Sequence, residues 1–199
     1  MRKRFMRILP VLLMLTIVAL MAGAIACTPS QPAGTTPSEP VLEITKGNVS
    51  KSLSMTDIKA LPVTEWTGCL RHENGPVEGP FRMKGVTILD LCFVVGGMEE
   101  DEAAEADAPD GFAELPYKNI VENNFKTYDA VTGKEVLHGN LVVLLAYEQD
   151  GKPLNEDSGP FRVAILGGDN VATQGYMWMK QISKVKVHKW GDYYGDKPL

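Results

Sequence analysis

The segment TGCLRHENG at residues 67–75 places Cys69, Arg71 and His72 within four positions of one another. Neighbouring cationic groups favour a thiolate, which is both a nucleophile and a soft metal ligand. Two plainer roles stand beside that one. Cys69 could be a buried strand cysteine, or half of a disulfide with Cys92, since the chain has three cysteines and the other, Cys27, closes an apolar leader. The histidines offer little local help. His72, His138 and His188 are scattered, with neither the i, i+4 nor the His-x-His spacing of a zinc or copper site. No Ser-His-Asp arrangement is legible. The glycine loop GGDN at 167–170 follows a strand pattern but leads into no clear helix, so it does not read as a phosphate cradle.

The ends of the chain decide where this chemistry would operate. Residues 1–7 are strongly basic, and an apolar run follows to Ala26. This is the layout of an export signal over residues 1–26. Its Ala24-Ile25-Ala26-Cys27 end resembles the lipobox of bacterial lipoproteins, which makes Cys27 the expected lipidation site. The alternative is a retained membrane anchor. On either reading the rest of the chain is exported and held to the outer side of the cytoplasmic membrane. Residues 27–40, rich in proline, threonine and serine, cannot bury a core and read as a flexible tether. The folded part is expected over 41–190, with a short tail at 191–199. That is about 150 residues, enough for one domain with a substantial core.

Charge excludes one class of partner. The chain carries 20 Lys+Arg against 25 Asp+Glu. Losing the leader removes Arg2, Lys3, Arg4 and Arg7 and no acid, leaving 16 against 25, a formal −9. A nucleic-acid partner needs a basic face, so none is expected.

The elements that would position Cys69 are mostly short strands. VLEITKGNVSKSLS reads as two strands about a Gly-Asn turn. SMTDIKALP reads as a short helix capped by Ser54 or Thr56 and stopped by Pro62. VTEWTGCL, β-branched and aromatic, is a strand that carries Cys69, followed by a Gly/Pro loop over 71–80 and a short strand FRMKGV. Thr87 caps a second helix whose Ile88, Leu91, Cys92 and Val95 form one apolar stripe, with Gly96-Gly97 at its exit. Residues 99–114 hold eight acids and no base, and read as a solvated, mobile insertion. Strands with a hairpin at Thr132-Gly133 follow. LVVLLAYEQ is a buried strand leaving through Asp150-Gly151, FRVAILGG is another, and residues 176–190 close the fold with one register slip. The sum is an α+β domain, β-rich, with two short helices.

The order of these pieces resembles the sulfite-oxidase-like, molybdopterin-binding oxidoreductase domain. The matching positions are Ala146-Tyr147, Asp150-Gly151, Pro153-Leu154, Gly159-Pro160-Phe161-Arg162, Gly167-Gly168, and Trp178 with Ile182. SLSMTDIKALP and FRMKGVTILDLCFVVGG agree in the N-terminal half. The resemblance covers nearly all of 41–188. It implies a β-rich mixed fold with a β-grasp-like part and a molybdenum–pterin cofactor. In that family one cysteine thiolate binds the metal and the cofactor carries oxo-transfer or two-electron redox chemistry on a small substrate. On this chain the resemblance makes Cys69 the metal ligand and catalytic residue, with Arg71, His72, Arg162 and Lys180 holding the pterin. The electron partner would be a separate redox protein, since no haem or iron–sulfur motif is present. The chain departs from the family at the family's Cys-x-Gly-Asn, where it reads Cys69-Leu70-Arg71-His72, and at the lysine before Trp178, which is Met177. Those departures support a second expectation, a cofactor-free binding or interaction lipoprotein that keeps the fold and has lost the molybdenum site.

Overall fold

A computed structural model of the chain describes residues 41–137 and 139–191. The leader, Cys27, the tether, His138 and residues 192–199 lie outside the described residues. The chain opens with a hairpin of β1 (Val41–Lys46) and β2 (Val49–Ser54). The Ser54 hydroxyl accepts from the Asp57 N–H at 3.2 Å and the Asp57 carboxylate accepts from the Ser54 N–H at 2.9 Å, a capping box that starts α1 (Met55–Ala60). β3 (Val63–Arg71) and β4 (Val77–Thr87) follow, and Thr87 caps α2 (Ile88–Cys92). A 3-10 turn, Phe93–Val95, extends that helix to Gly96, whose φ of 103° makes the left-handed exit expected of it. Next come β5 (Glu102–Ala108), β6 (Gly111–Pro116), α3 (Tyr117–Val121), β7 (Thr127–Asp129) and β8 (Glu135–Val136). The remainder is β9 (Val142–Gln149), β10 (Lys152–Pro153), β11 (Arg162–Leu166), β12 (Val171–Gln174), a 3-10 turn at Gly175–Met177, and β13 (Lys184–Lys189). Among the described residues no helix is long and apolar enough to cross a membrane.

The strands form two sheets. The first runs β2-β1-β13-β5-β6, with β1 and β13 parallel. The second runs β10-β9-β4-β3-β12-β7-β8, with β11 also paired to β9. The main core lies between them. Leu42, Ile44, Ala104, Ala106, Leu115, Val185 and Val187 come from the first sheet. Val86, Val143, Leu145, Val163 and Ile165 come from the second, and Ile58, Ile88, Leu91 and Cys92 from the helices. A smaller core covers the other face of the second sheet with Leu70, Met83, Leu144, Ala146, Ala164, Leu166 and Trp178. Strands β9 and β11 are therefore buried on both faces, which is why they read as unbroken apolar runs. The β-rich α+β expectation holds.

Four local expectations do not. Residues 99–114 are not a mobile insertion but contain the paired strands β5 and β6. Their small apolar members, Ala104, Ala106, Ala113 and Leu115, face the core. The bases absent from the stretch itself come from β13, which sets Lys186 opposite Glu105 and Lys184 opposite Asp107. A third helix, α3, stands where strands were expected. Strand β4 begins at Val77, within the expected loop. The last strand starts only at Lys184, after a left-handed Gln181 with φ 55°.

Among the glycines, Gly85 marks the closest backbone approach, between β4 and β9. A Cβ added to Gly85 would sit 2.1 Å from the Leu145 carbonyl oxygen, and the clash is with backbone, which cannot turn aside. Gly85→Ala is therefore expected to cost about 3 kcal/mol or more. Urea unfolding followed by circular dichroism checks this, and an unchanged midpoint would contradict it.

Candidate functional site

Cys69 lies near the end of β3, which pairs with β4 on one side and with β12 on the other. The parallel register with β12 sets Cys69 beside Ala172 and Arg71 beside Gln174. The antiparallel β12–β7 register sets Ala172 beside Tyr128. Paired residues share a face, so Cys69, Arg71, Gln174 and Tyr128 all belong to one side of this sheet. The Arg71 guanidinium lies over the Tyr128 ring, 4.4 Å from its centroid.

The Cys69 side chain is 1% exposed. Its thiol donates to the Asp169 carbonyl oxygen at 3.3 Å, so the glycine loop at 167–170 closes over the sulfur. Burial, and next the charge of Asp169, raise the Cys69 thiol above its ordinary value. A low thiolate fraction at neutral pH follows, despite the neighbouring arginine. Cys92 is an interior residue on α2, and burial pushes its thiol up to about 12. Both cysteines are free, so the disulfide alternative is not the one adopted.

The remaining expected site residues lie elsewhere. Strand alternation puts Leu70 on the opposite face from Cys69 and Arg71, and Leu70 packs with Trp178 in the smaller core. Glu78 is paired to Leu70 and so shares that opposite face. His72 Nε2 is 3.0 Å from Glu78 Oε1, in an exposed pair. Arg162, paired to Ala146, also lies on this side, buried, with its guanidinium 5.2 Å from the centre of the Trp178 ring. Burial lowers its pKa, and Glu78 opposes that shift. The ring itself is fixed: Trp178 Nε1–H donates to Thr173 Oγ1 at 2.8 Å, and that hydroxyl donates to the Ile165 carbonyl at 2.7 Å. Lys180 is exposed on the loop before β13. The structure thus joins Cys69 with Arg71, and Arg162 and His72 with Glu78, on opposite faces of one strand.

An open concavity adjoins the Cys69–Arg71 face at its Arg71 end, through Gln174. A cleft of about 620 Å³ is bounded by α3, β7, β8 and the 3-10 turn at Gly175–Met177. Its polar lining includes Glu114, Asn124, Lys126, Glu135, Gln174 and Tyr176, with Phe125 and Met177 as apolar members. None of Cys69, Arg71, His72, Arg162 or Lys180 lines it. These residues carry no motif spacing, and the sequence signal near them is Met177 in place of the family lysine.

No family model and no curated protein matches the chain. Among solved structures, it is similar to the sulfane dehydrogenase SoxCD from Paracoccus pantotrophus, with a TM-score of 0.53 and 17% identity. The likeness covers 75% of this chain and 38% of that one, so the chain spans well under half the length of the dehydrogenase. At this identity the likeness shows the fold alone, one shared with part of that dehydrogenase.

The state of the two thiols is directly measurable. Iodoacetamide at pH 8 is expected to leave Cys69 and Cys92 unmodified in the folded protein and to label both after denaturation without reductant. Peptide mapping by mass spectrometry reads each site. Rapid labelling of native Cys69 would contradict its closure under Asp169.

Proposed function

We propose that this chain is an extracytoplasmic binding protein on a molybdopterin-oxidoreductase-like fold, held to the outer side of the cytoplasmic membrane through lipid on Cys27. Its ligand seat is the polar cleft beside α3, and it does not run molybdenum chemistry. The observation that carries this reading is the division of the expected donors. A molybdenum–pterin group needs a thiolate and several cationic or backbone donors converging on one phosphate-bearing molecule. Here the thiol is closed under a carbonyl, one arginine shares its face, and the other arginine and the histidine lie across the strand. Two buried nitrogens without hydrogen-bond partners among the described residues, Arg71 Nε and Arg162 Nε, speak for an anion, yet they lie on opposite faces and one phosphate does not reach both. The residues present do not fit the group. The cleft instead offers amides, hydroxyls, one lysine and the carboxylates of Glu114 and Glu135 around apolar walls, a makeup suited to a small polar molecule.

The alternative is the oxidoreductase itself, with Cys69 on molybdenum and electrons passed to a separate redox protein. Its support is the fold and the Cys69–Arg71 pairing on one face. The two separate on one preparation, the full chain purified in detergent from a host that makes and inserts the cofactor. Molybdenum per chain, by elemental mass spectrometry, is expected to match that of Cys69→Ser. Near-stoichiometric molybdenum that disappears in Cys69→Ser would overturn the binding-protein reading. Native mass spectrometry of the same protein is expected to show a bound small molecule that is lost in Asn124→Ala/Tyr176→Ala.

A further inference from the structure

The first sheet presents a second chemistry, on its face away from the main core. Glu105 on β5, Glu114 on β6 and His188 on β13 meet there. Glu105 and Glu114 are direct cross-strand partners, so both carboxylates leave the same side of the sheet. His188 is paired with Ala103, two residues before Glu105 on the same side. Ala103 is small, and the imidazole passes over it to reach the third strand: His188 Nε2 lies 2.9 Å from Glu114 Oε1 and 3.9 Å from Glu105 Oε2. The candidate ligand atoms of the three residues all lie within 4.8 Å of one another. Two ligands held about 2.0–2.1 Å from one tetrahedral zinc stand about 3.3 Å apart, so small side-chain rotations suffice to seat an ion.

We propose that Glu105, Glu114 and His188 bind a divalent first-row cation of the zinc type. Three independent features point to a cation. First, Glu114 is 8% exposed and its Oε2 has no hydrogen-bond donor among the described residues. A buried carboxylate oxygen without a donor is costly, and a cation satisfies it. Second, His188 Nδ1 is 3.0 Å from the Lys189 carbonyl oxygen. With the proton on Nδ1, that nitrogen donates to the carbonyl and the Nε2 lone pair points at two carboxylates. Metal-ligating histidines are oriented in this way by a second-shell acceptor. Third, like charges placed directly opposite on adjacent strands repel, and the neighbouring base only partly offsets this: Lys186 Nζ is 3.9 Å from Glu105 Oε1. Imidazole with two carboxylates is a borderline-hard donor set that suits zinc and its neighbours, and it leaves a fourth position for water. Glu114 also lines the polar cleft, which gives an ion a route from solvent.

The site shares Glu114 with the cleft wall but uses none of the cleft's amides or hydroxyls and no thiol, so zinc binding and small-molecule binding are read out separately. Its test uses the full chain in detergent, without a polyhistidine tag, stripped with a chelator and desalted. Titration calorimetry with zinc chloride at pH 7.5 is expected to show one site per chain. Cobalt(II) in its place is expected to give the visible d–d absorption of a nitrogen–oxygen tetrahedral site, abolished by one equivalent of zinc. Glu114→Gln and His188→Gln are each expected to weaken zinc at least about 30-fold, and Cys69→Ser to leave it unchanged. Absence of both the calorimetric site and the cobalt spectrum in the unmodified protein would overturn the proposal without reliance on any variant. So would equal zinc affinity in a folded Glu114→Gln/His188→Gln protein, since the cluster would then be a simple buried ion pair.

Discussion

The parallel ladder between β3 and β12 fixes what the rest of the second sheet can do. It sets Ala172 beside Cys69 and Gln174 beside Arg71, and the two-residue period of a strand then assigns every neighbour to one face or the other. Leu70 must point into the smaller core with Trp178, and Cys69 must point away from it. Once Leu70 is committed to that core, a one-residue slip would drive Arg71 into it and leave Leu70 outside. Hydrophobic burial on one side thus dictates which polar groups can meet on the other. The separation of Arg162 from Arg71 is a consequence of packing before it is a matter of chemistry.

Much of the fold was legible in the sequence where a local rule was strong. The Ser54 and Thr87 caps, the left-handed Gly96 and the Asp150-Gly151 turn each rest on residues within a few positions of one another. The doubly buried β9 and β11 announced themselves by continuous apolar runs. The acid-rich stretch reads as a solvated insertion because its neutralising bases lie on β13, roughly eighty residues later, and because alanine is a weak strand signal. Its pattern, with Ala104, Ala106, Ala113 and Leu115 inward, becomes visible only when β13 supplies Lys184, Lys186 and His188 alongside. Helix α3 is a single short turn-rich segment after a proline, too brief for a period to show.

The candidate sites were less legible, for the same reason carried further. Cys69, Arg71 and His72 are close in sequence, but proximity along a strand is not convergence. Alternation keeps Cys69 and Arg71 on one face and sends His72 towards Glu78 on the other. Conversely, Glu105, Glu114 and His188 share no spacing that a motif would contain, yet the β13-β5-β6 order brings them within reach of one another. Sequence distance was a poor guide in both directions. Strand register was the missing quantity, and it is set by non-local burial and pairing.

The parallel pairing of β1 with β13 has a mechanical meaning. Glu43 lies beside Lys184 and Lys46 beside Val187, so the domain's first and last described strands run side by side in the same direction. Tension applied at the start of β1 and the end of β13 acts along the strands and pulls them in opposite directions. The ladder is then loaded in shear, its hydrogen bonds sharing the force, and does not open one bond at a time like a zipper. The same arrangement that closes the sheet thus makes the junction of the two strands the domain's mechanical clamp.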